Sequence, residues 1–268
     1  MKPSLTIYAL HDAFDASELD LRGAIAFARE IGMAGMELGY YWQEEHRECE
    51  LAKQWLADAG LAASGYIIST NFVAGDETEH KKQIATVKRG IDRARQLGAP
   101  FVRVFAGSRP GRSFAEDRDV VVEALRECLA YAEAIDVKIA MENHGGIGAN
   151  SEHLLYYADA LASSHFGFVV DIGNFMASGG ENPLEGSKRL ASGALLVHCK
   201  DGAVDKDSTW SPSLLGQGDV EVEACLKAIA DTGYDGYASV EFEVPMDWRV
   251  GIASEADHLH RVLERINA

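Results

Sequence analysis

Apolar residues along this chain follow two alternating spacings. Short runs at residues 5–9, 35–38, 61–68 and 101–105 are too brief for helices and rich enough in β-formers to predict strands. Between them, apolar residues recur every three or four positions, as with Leu21, Ile25, Ala28 and Ile31. That spacing predicts helices over residues 20–31, 48–59, 77–97 and 116–134, with Gly60 and Gly98-Ala-Pro100 as stops. The second half repeats the alternation. Strands are expected at 137–141, 166–170, 194–197 and 237–240, and helices near 151–162, 183–191, 221–232 and 254–266.

Eight strand–helix units in 268 residues average about 33 residues each, enough for a parallel strand and its crossover helix. The pattern predicts an α/β fold, a (β/α)8 TIM barrel, with residues 1–268 as one domain. One segment breaks the rhythm. Residues 201–219, with Trp210, Pro212 and Gly216-Gln-Gly218, read as a long irregular loop of the kind that serves as a lid or substrate-binding element.

Each of the last four strand runs places a strong metal-ligand residue at or just past its end: Glu142, Asp171, His198 and Glu241. These positions lie 29, 27 and 43 residues apart, about one strand–helix unit or somewhat more each time. Parallel neighbours in a barrel open their C-terminal ends onto one face, where such barrels keep their chemistry. Four ligands delivered there imply a single bound divalent cation. Three carboxylates and one imidazole make a mostly oxygen site, which suits Mn²⁺ first and is compatible with Mg²⁺, Co²⁺ or Zn²⁺.

Composition narrows the partners. With 42 acidic and 25 basic residues, the net charge of −17 repels polyanions, so nucleic acid is not an expected ligand. No apolar run approaches the roughly 18 residues of a membrane helix. The first ten residues read as a strand rather than a secretory signal, which predicts a cytoplasmic protein. The cysteines Cys49, Cys128, Cys199 and Cys225 show no CxxC spacing and are expected as reduced thiols. A small polar molecule is the expected partner.

The segments Met141-Glu-Asn-His-Gly-Gly146, Asp171-Ile-Gly-Asn174, Val197-His-Cys-Lys-Asp201 and Gly233-Tyr-Asp-Gly-Tyr-Ala-Ser-Val-Glu241 together resemble the xylose-isomerase-like TIM-barrel superfamily. That group includes sugar isomerases, ketose 3-epimerases, inosose isomerases and dehydratases, and an AP-endonuclease branch. The resemblance covers nearly the whole chain, including Leu97 to Arg103. It implies Glu142, Asp171, His198 and Glu241 as metal ligands, with Glu142 and Glu241 also removing and returning a proton next to the substrate carbonyl. The implied activity is a divalent-metal-dependent isomerisation or epimerisation of a sugar or polyol ketone through a metal-stabilised enediolate, with dimers or tetramers common in the family.

Around that centre, Asn174 stands where several family members carry a substrate-binding His. Lys200 is expected on the same side of its strand as His198, while Cys199 turns away. His144 and Arg103 are further substrate-binding candidates from neighbouring strand ends. His11, Glu37, Tyr40, Trp42 and Asn71, near the early strands, are expected to wall the pocket, where an aromatic ring can cover a sugar face. Three other readings compete. A lyase or dehydratase acting on a keto-sugar or inosose would use the same metal. An AP-endonuclease-like phosphodiesterase would need several zinc ions and a His in place of Asn174. A noncatalytic sugar-binding barrel would have no reason to keep all four ligands.

Overall fold

A computed structural model describes residues 1–268 of the chain. Eight parallel strands close into a barrel. In chain order they are β1 (Lys2–Thr6), β2 (Gly35–Leu38), β3 (Ala62–Ile67), β4 (Phe101–Val104), β5 (Lys138–Glu142), β6 (Phe166–Asp171), β7 (Ala194–Cys199) and, after a hairpin, β10 (Tyr237–Val240). Neighbours follow chain order around the ring, and β1 closes it against β10 through Lys2↔Tyr237 to Leu5↔Val240. The (β/α)8 expectation is met.

Helices cover the outside: α2 (Leu21–Glu30), α3 (Glu45–Ala59), α4 (Glu77–Leu97), α5 (Phe114–Ala134), α6 (Ser151–Leu161), α8 (Pro183–Leu190), α9 (Val222–Ala230) and α10 (Trp248–Asn267). Two single-turn helices, α1 (His11–Asp15) and α7 (Asn174–Ala177), sit beside strand ends. Local chemistry sets the boundaries. Asp76 caps α4 by accepting from the backbone N–H of Thr78 and Glu79, and Gly98 ends it in the left-handed region at φ 83°. At α5, Ser113 and Glu116 form a capping box, which starts the helix at Phe114 instead of the expected 116.

The structure corrects three other boundaries. Strand β1 occupies Lys2–Thr6, earlier than 5–9, and Ile7–Leu10 forms a 3₁₀ turn whose Ile7, Ala9 and Leu10 are buried. A short apolar run reads alike for a strand and a buried turn, and pairing with β10 and β2 selects the earlier register. Helix α10 begins at Trp248, because Asp247 caps it through the N–H of Val250 and Trp248 packs edge-on against Phe27. Residues 201–219 are not irregular throughout. They contain an antiparallel hairpin of β8 (Asp201–Val204) and β9 (Trp210–Ser213), outside the barrel.

The hairpin is tied down by one carboxylate. Buried Asp201 accepts from the backbone N–H groups of Gly202, Gly216, Gly218 and Val220 at 2.7–3.1 Å. Pro212, which has no N–H to donate, sits opposite Gly202 on a two-stranded ribbon. The polar composition of the segment hid this pairing, since its order comes from side-chain capping rather than an apolar face.

Candidate metal centre and sugar pocket

At the C-terminal mouth of the barrel, Glu142 ends β5, Asp171 ends β6, His198 is the last but one residue of β7, and Glu241 follows β10. Strand register sets the spacing. Asp171 is the direct partner of His198, and the N–H of Glu241 bonds the carbonyl of Cys199 at 3.1 Å. One ligand atom from each of the four residues lies within 4.8 Å of the others, and all four residues are buried. The arrangement expected from the strand ends is present.

One atom of each residue makes no hydrogen bond. Glu142 Oε2, Asp171 Oδ2, His198 Nδ1 and Glu241 Oε2 are all buried without a hydrogen bond. His198 Nδ1 does approach Glu241 Oε2 to 2.8 Å, but not in hydrogen-bonding alignment. Four orphaned polar atoms in one spot are costly unless something charged satisfies them together, and three carboxylate oxygens with an imidazole nitrogen match a divalent cation. The residues fit such an ion.

The other atoms of the four side chains are held from behind. His198 Nε2 lies 3.0 and 3.1 Å from the two carboxylate oxygens of Glu37, which is fully buried on β2. A carboxylate can only accept, so Nε2 donates to Glu37 and Nδ1 is the nitrogen left to face a bound cation. Asp171 Oδ1 accepts from the N–H of Gly173 and Asn174, and Asn174 Nδ2 donates to Glu142 Oε1. Asn143 bridges β5 and β6, its amide bonded to both the N–H and the carbonyl of Asp171 at 2.8 Å.

Two buried cations complete the electrostatics. Arg103 Nη1 lies 3.3 Å from Glu142 Oε2, Nη2 donates to Tyr40, and the guanidinium covers the Phe105 ring at 4.0 Å. Lys200 Nζ lies 3.3 Å from Asp171, 3.7 Å from Glu241 and 3.4 Å from Glu243. Burial opposes the charge on Lys200, but these carboxylates prevail and hold it above the ordinary ammonium range. His198 behaves likewise. Burial disfavours imidazolium, yet Glu37, Glu241 and Glu142 raise it well above the usual histidine value, so a proton stabilises the cluster where a cation would otherwise do so.

The carboxylates diverge. For Glu241, burial is outweighed by Lys200 and His198, which keep it ionised well below the usual range; for Glu142, burial is outweighed by Arg103 and His198, which lower it. For Asp171, burial outweighs Lys200 and pushes the group up to about 7.

Above the cluster opens a cavity of about 430 Å³ whose wall includes Tyr8, Tyr40, Arg103, Phe105, Glu241 and Glu243. His144 also lines it, 4.2 Å from the Phe105 ring. The structure therefore brings Arg103, His144 and Tyr40 to the pocket, with Lys200 and Asn174 immediately beneath. Four other expected wall residues lie elsewhere. Glu37 is under His198, fully buried on β2, and the neighbouring Gly65 on β3 lies against the Phe101 ring, which an added Cβ would approach to 2.6 Å. Trp42 lines a neighbouring cavity of about 670 Å³ that contains no cluster residue, and it stacks near Tyr66. Asn71 is occupied by the loop at Ser108 and the N–H of Val73. His11 bonds the carbonyl of Tyr8 and pairs with Asp12 at the rim.

Sequence reasoning missed Asn143, Tyr8, Phe105 and Glu243. For Glu243 a signal existed: it follows Glu241 by two residues, the spacing that returns a side chain to the same side of a strand.

Comparison with known proteins agrees with this architecture. The Xylose isomerase-like TIM barrel family model matches residues 25–262. The chain is 27% identical over 176 residues to an uncharacterized protein of Methanocaldococcus jannaschii, and 23% identical over 179 residues to fructoselysine 3-epimerase of Shigella flexneri. These matches span 62% and 64% of this chain but only 58% and 62% of those proteins. Among solved structures, the IOLI protein with a bound zinc atom superposes over 99% of both chains with a TM-score of 0.84 at 18% identity. L-ribulose 3-epimerase gives 0.81 at 14% identity over 99% and 95% of the two chains. The probable 3-DHS dehydratase AsbF of Bacillus anthracis gives 0.80 at 17% identity over 97% and 99% of the two chains. With the family model spanning most of the barrel and four of its strands meeting in one ligand cluster, this chain belongs to the xylose isomerase-like TIM barrel family.

Proposed function

We propose that this protein is a divalent-metal-dependent isomerase or epimerase of a sugar or polyol ketone. The observation that carries the reading is the set of four buried ligand atoms without a hydrogen bond, from Glu142, Asp171, His198 and Glu241, at the floor of an aromatic-walled pocket. The similarity to a fructoselysine 3-epimerase supports it. Manganese is the first choice of ion, because oxygen donors dominate the set and no thiolate belongs to it.

A bound cation would supply Lewis-acid polarisation of the substrate carbonyl and offset the negative charge that grows as the neighbouring C–H bond breaks. The chain's own residues do the rest. Glu241 is the member of the cluster that faces the cavity, and Lys200 and His198 keep it ionised, so it is placed to take the proton. Glu142, across the cluster, is held ionised by Arg103 and is assigned the return of the proton on the opposite side. Tyr40, Phe105 and His144 supply ring faces and polar tips for a polyol.

Elimination of water from the same kind of substrate would begin with the same proton removal, so the product distinguishes a lyase from an epimerase. The test is incubation of manganese-loaded protein with free ketoses in deuterated water. The expected result is deuterium at the carbon next to the carbonyl together with an epimeric or positional isomer. Replacing Glu241 by Gln should lower exchange by at least about 10²-fold. Stoichiometric manganese without any exchange would sink the proposal.

A further inference from the structure

Glu243 is the acidic residue at the pocket that the proposed chemistry does not use. It lines the cavity, its side chain is 26% exposed, and it lies two residues beyond Glu241. Its nearest cation is Lys200, at 3.4 Å. Glu142 pairs with Arg103, and Asp171, Glu241 and Glu243 with Lys200, while Glu37 lies behind them against His198, so five carboxylates share two permanent cations. A divalent ion raises the positive side to four against five carboxylates, so the unbalanced charge equals the one that Glu243 contributes.

No cation is left free to receive an anion. Arg103 is the sole basic residue lining the cavity apart from His144; it is 3% exposed, beside Glu142 and flat against Phe105. Lys200 is 5% exposed and shared among three carboxylates. The pocket presents aromatic rings and carboxylates instead, a surface that disfavours phosphate and favours hydroxyl or ammonium groups.

We propose that Glu243 is a specificity-determining residue that selects uncharged or cationic keto-sugars and rejects phosphorylated ones. The inference rests on the sugar-ketone reading, and its test is a binding measurement that does not depend on turnover. Titration calorimetry on the magnesium-loaded protein would compare 1-amino-1-deoxy-D-fructose, D-fructose and D-fructose 6-phosphate. The expected order is amine tightest and phosphate ester weakest.

Glu243→Gln should narrow the gap between amine and phosphate ester by about tenfold while changing D-fructose affinity less than about threefold. Glu243→Asp, which keeps the charge, should restore the order. A phosphate ester that binds the native protein as tightly as D-fructose overturns the inference, as does an unchanged gap in Glu243→Gln. If the order holds but no deuterium is exchanged, the isomerase reading fails and the role of Glu243 stands. If exchange occurs with no charge preference, the reverse is true.

Discussion

Glu37 acts on the proposed chemistry through another side chain. It grips His198 Nε2 with both oxygens and so orients the ring that offers Nδ1 to the cluster. Substituting such a partner commonly weakens metal binding by about 10- to 100-fold without removing a ligand. Glu37→Gln should therefore lower manganese affinity by that factor, whereas His198→Ala should abolish stoichiometric binding, both read by metal analysis after dialysis. Equal affinity in native protein and Glu37→Gln would show that the contact is only packing.

Glu255 is buried on α10. Burial, reinforced by the charges of Asp201, Glu243 and Glu241, pushes its carboxyl up to about 9, and Oε2 has no partner. A group with a raised folded pKa contributes stability that is complete below the ordinary carboxylate range and lost as pH climbs toward about 9. Stability should fall across pH 5–9. Glu255→Gln, which mimics the neutral acid, should raise stability at pH 8 by on the order of 1–3 kcal/mol and flatten the profile. Thermal melts at pH 5 and pH 8 would measure both.

Among the elements, the β8–β9 hairpin depends most on a single group. Asp201 satisfies four backbone donors at once, and bonds to a charged acceptor are the stronger kind. Asp201→Ala should cost roughly 2–4 kcal/mol of local stability and speed amide exchange at Gly216, Gly218 and Val220 while the barrel strands stay protected. Uniform loss of protection across the barrel would show instead that the hairpin is part of the global folding unit. Helix α4 was legible because periodicity and caps agree at both ends, and α6 because Asn150 caps its start. The hairpin was not, because polar residues order it and no apolar alternation marks it.

At the level of the whole molecule, the cluster couples metal to folding. Buried carboxylates that repel one another in the folded barrel are separated in the unfolded chain, so an ion that binds only the folded form stabilises it by mass action, about 4 kcal/mol at a thousandfold excess over Kd. Manganese should raise the melting temperature by several degrees, and a chelator should reverse the rise. An unchanged melt would mean that Arg103, Lys200 and protonated His198 already balance the site. No helix is long and apolar enough to cross a membrane.

The sequence by itself determined the barrel and its four candidate ligands, because the period of apolar residues reports local structure and parallel strands bring their C-terminal ends to one face. Only the tertiary structure decided which atoms of those ligands stay unpartnered, that Glu37 backs His198 instead of walling the pocket, and that Glu243 joins the wall. Those facts depend on how far each side chain reaches across the barrel and what it meets there. Glu37 and His198 stand 161 positions apart and meet inside the barrel, a relation that no spacing along the chain encodes.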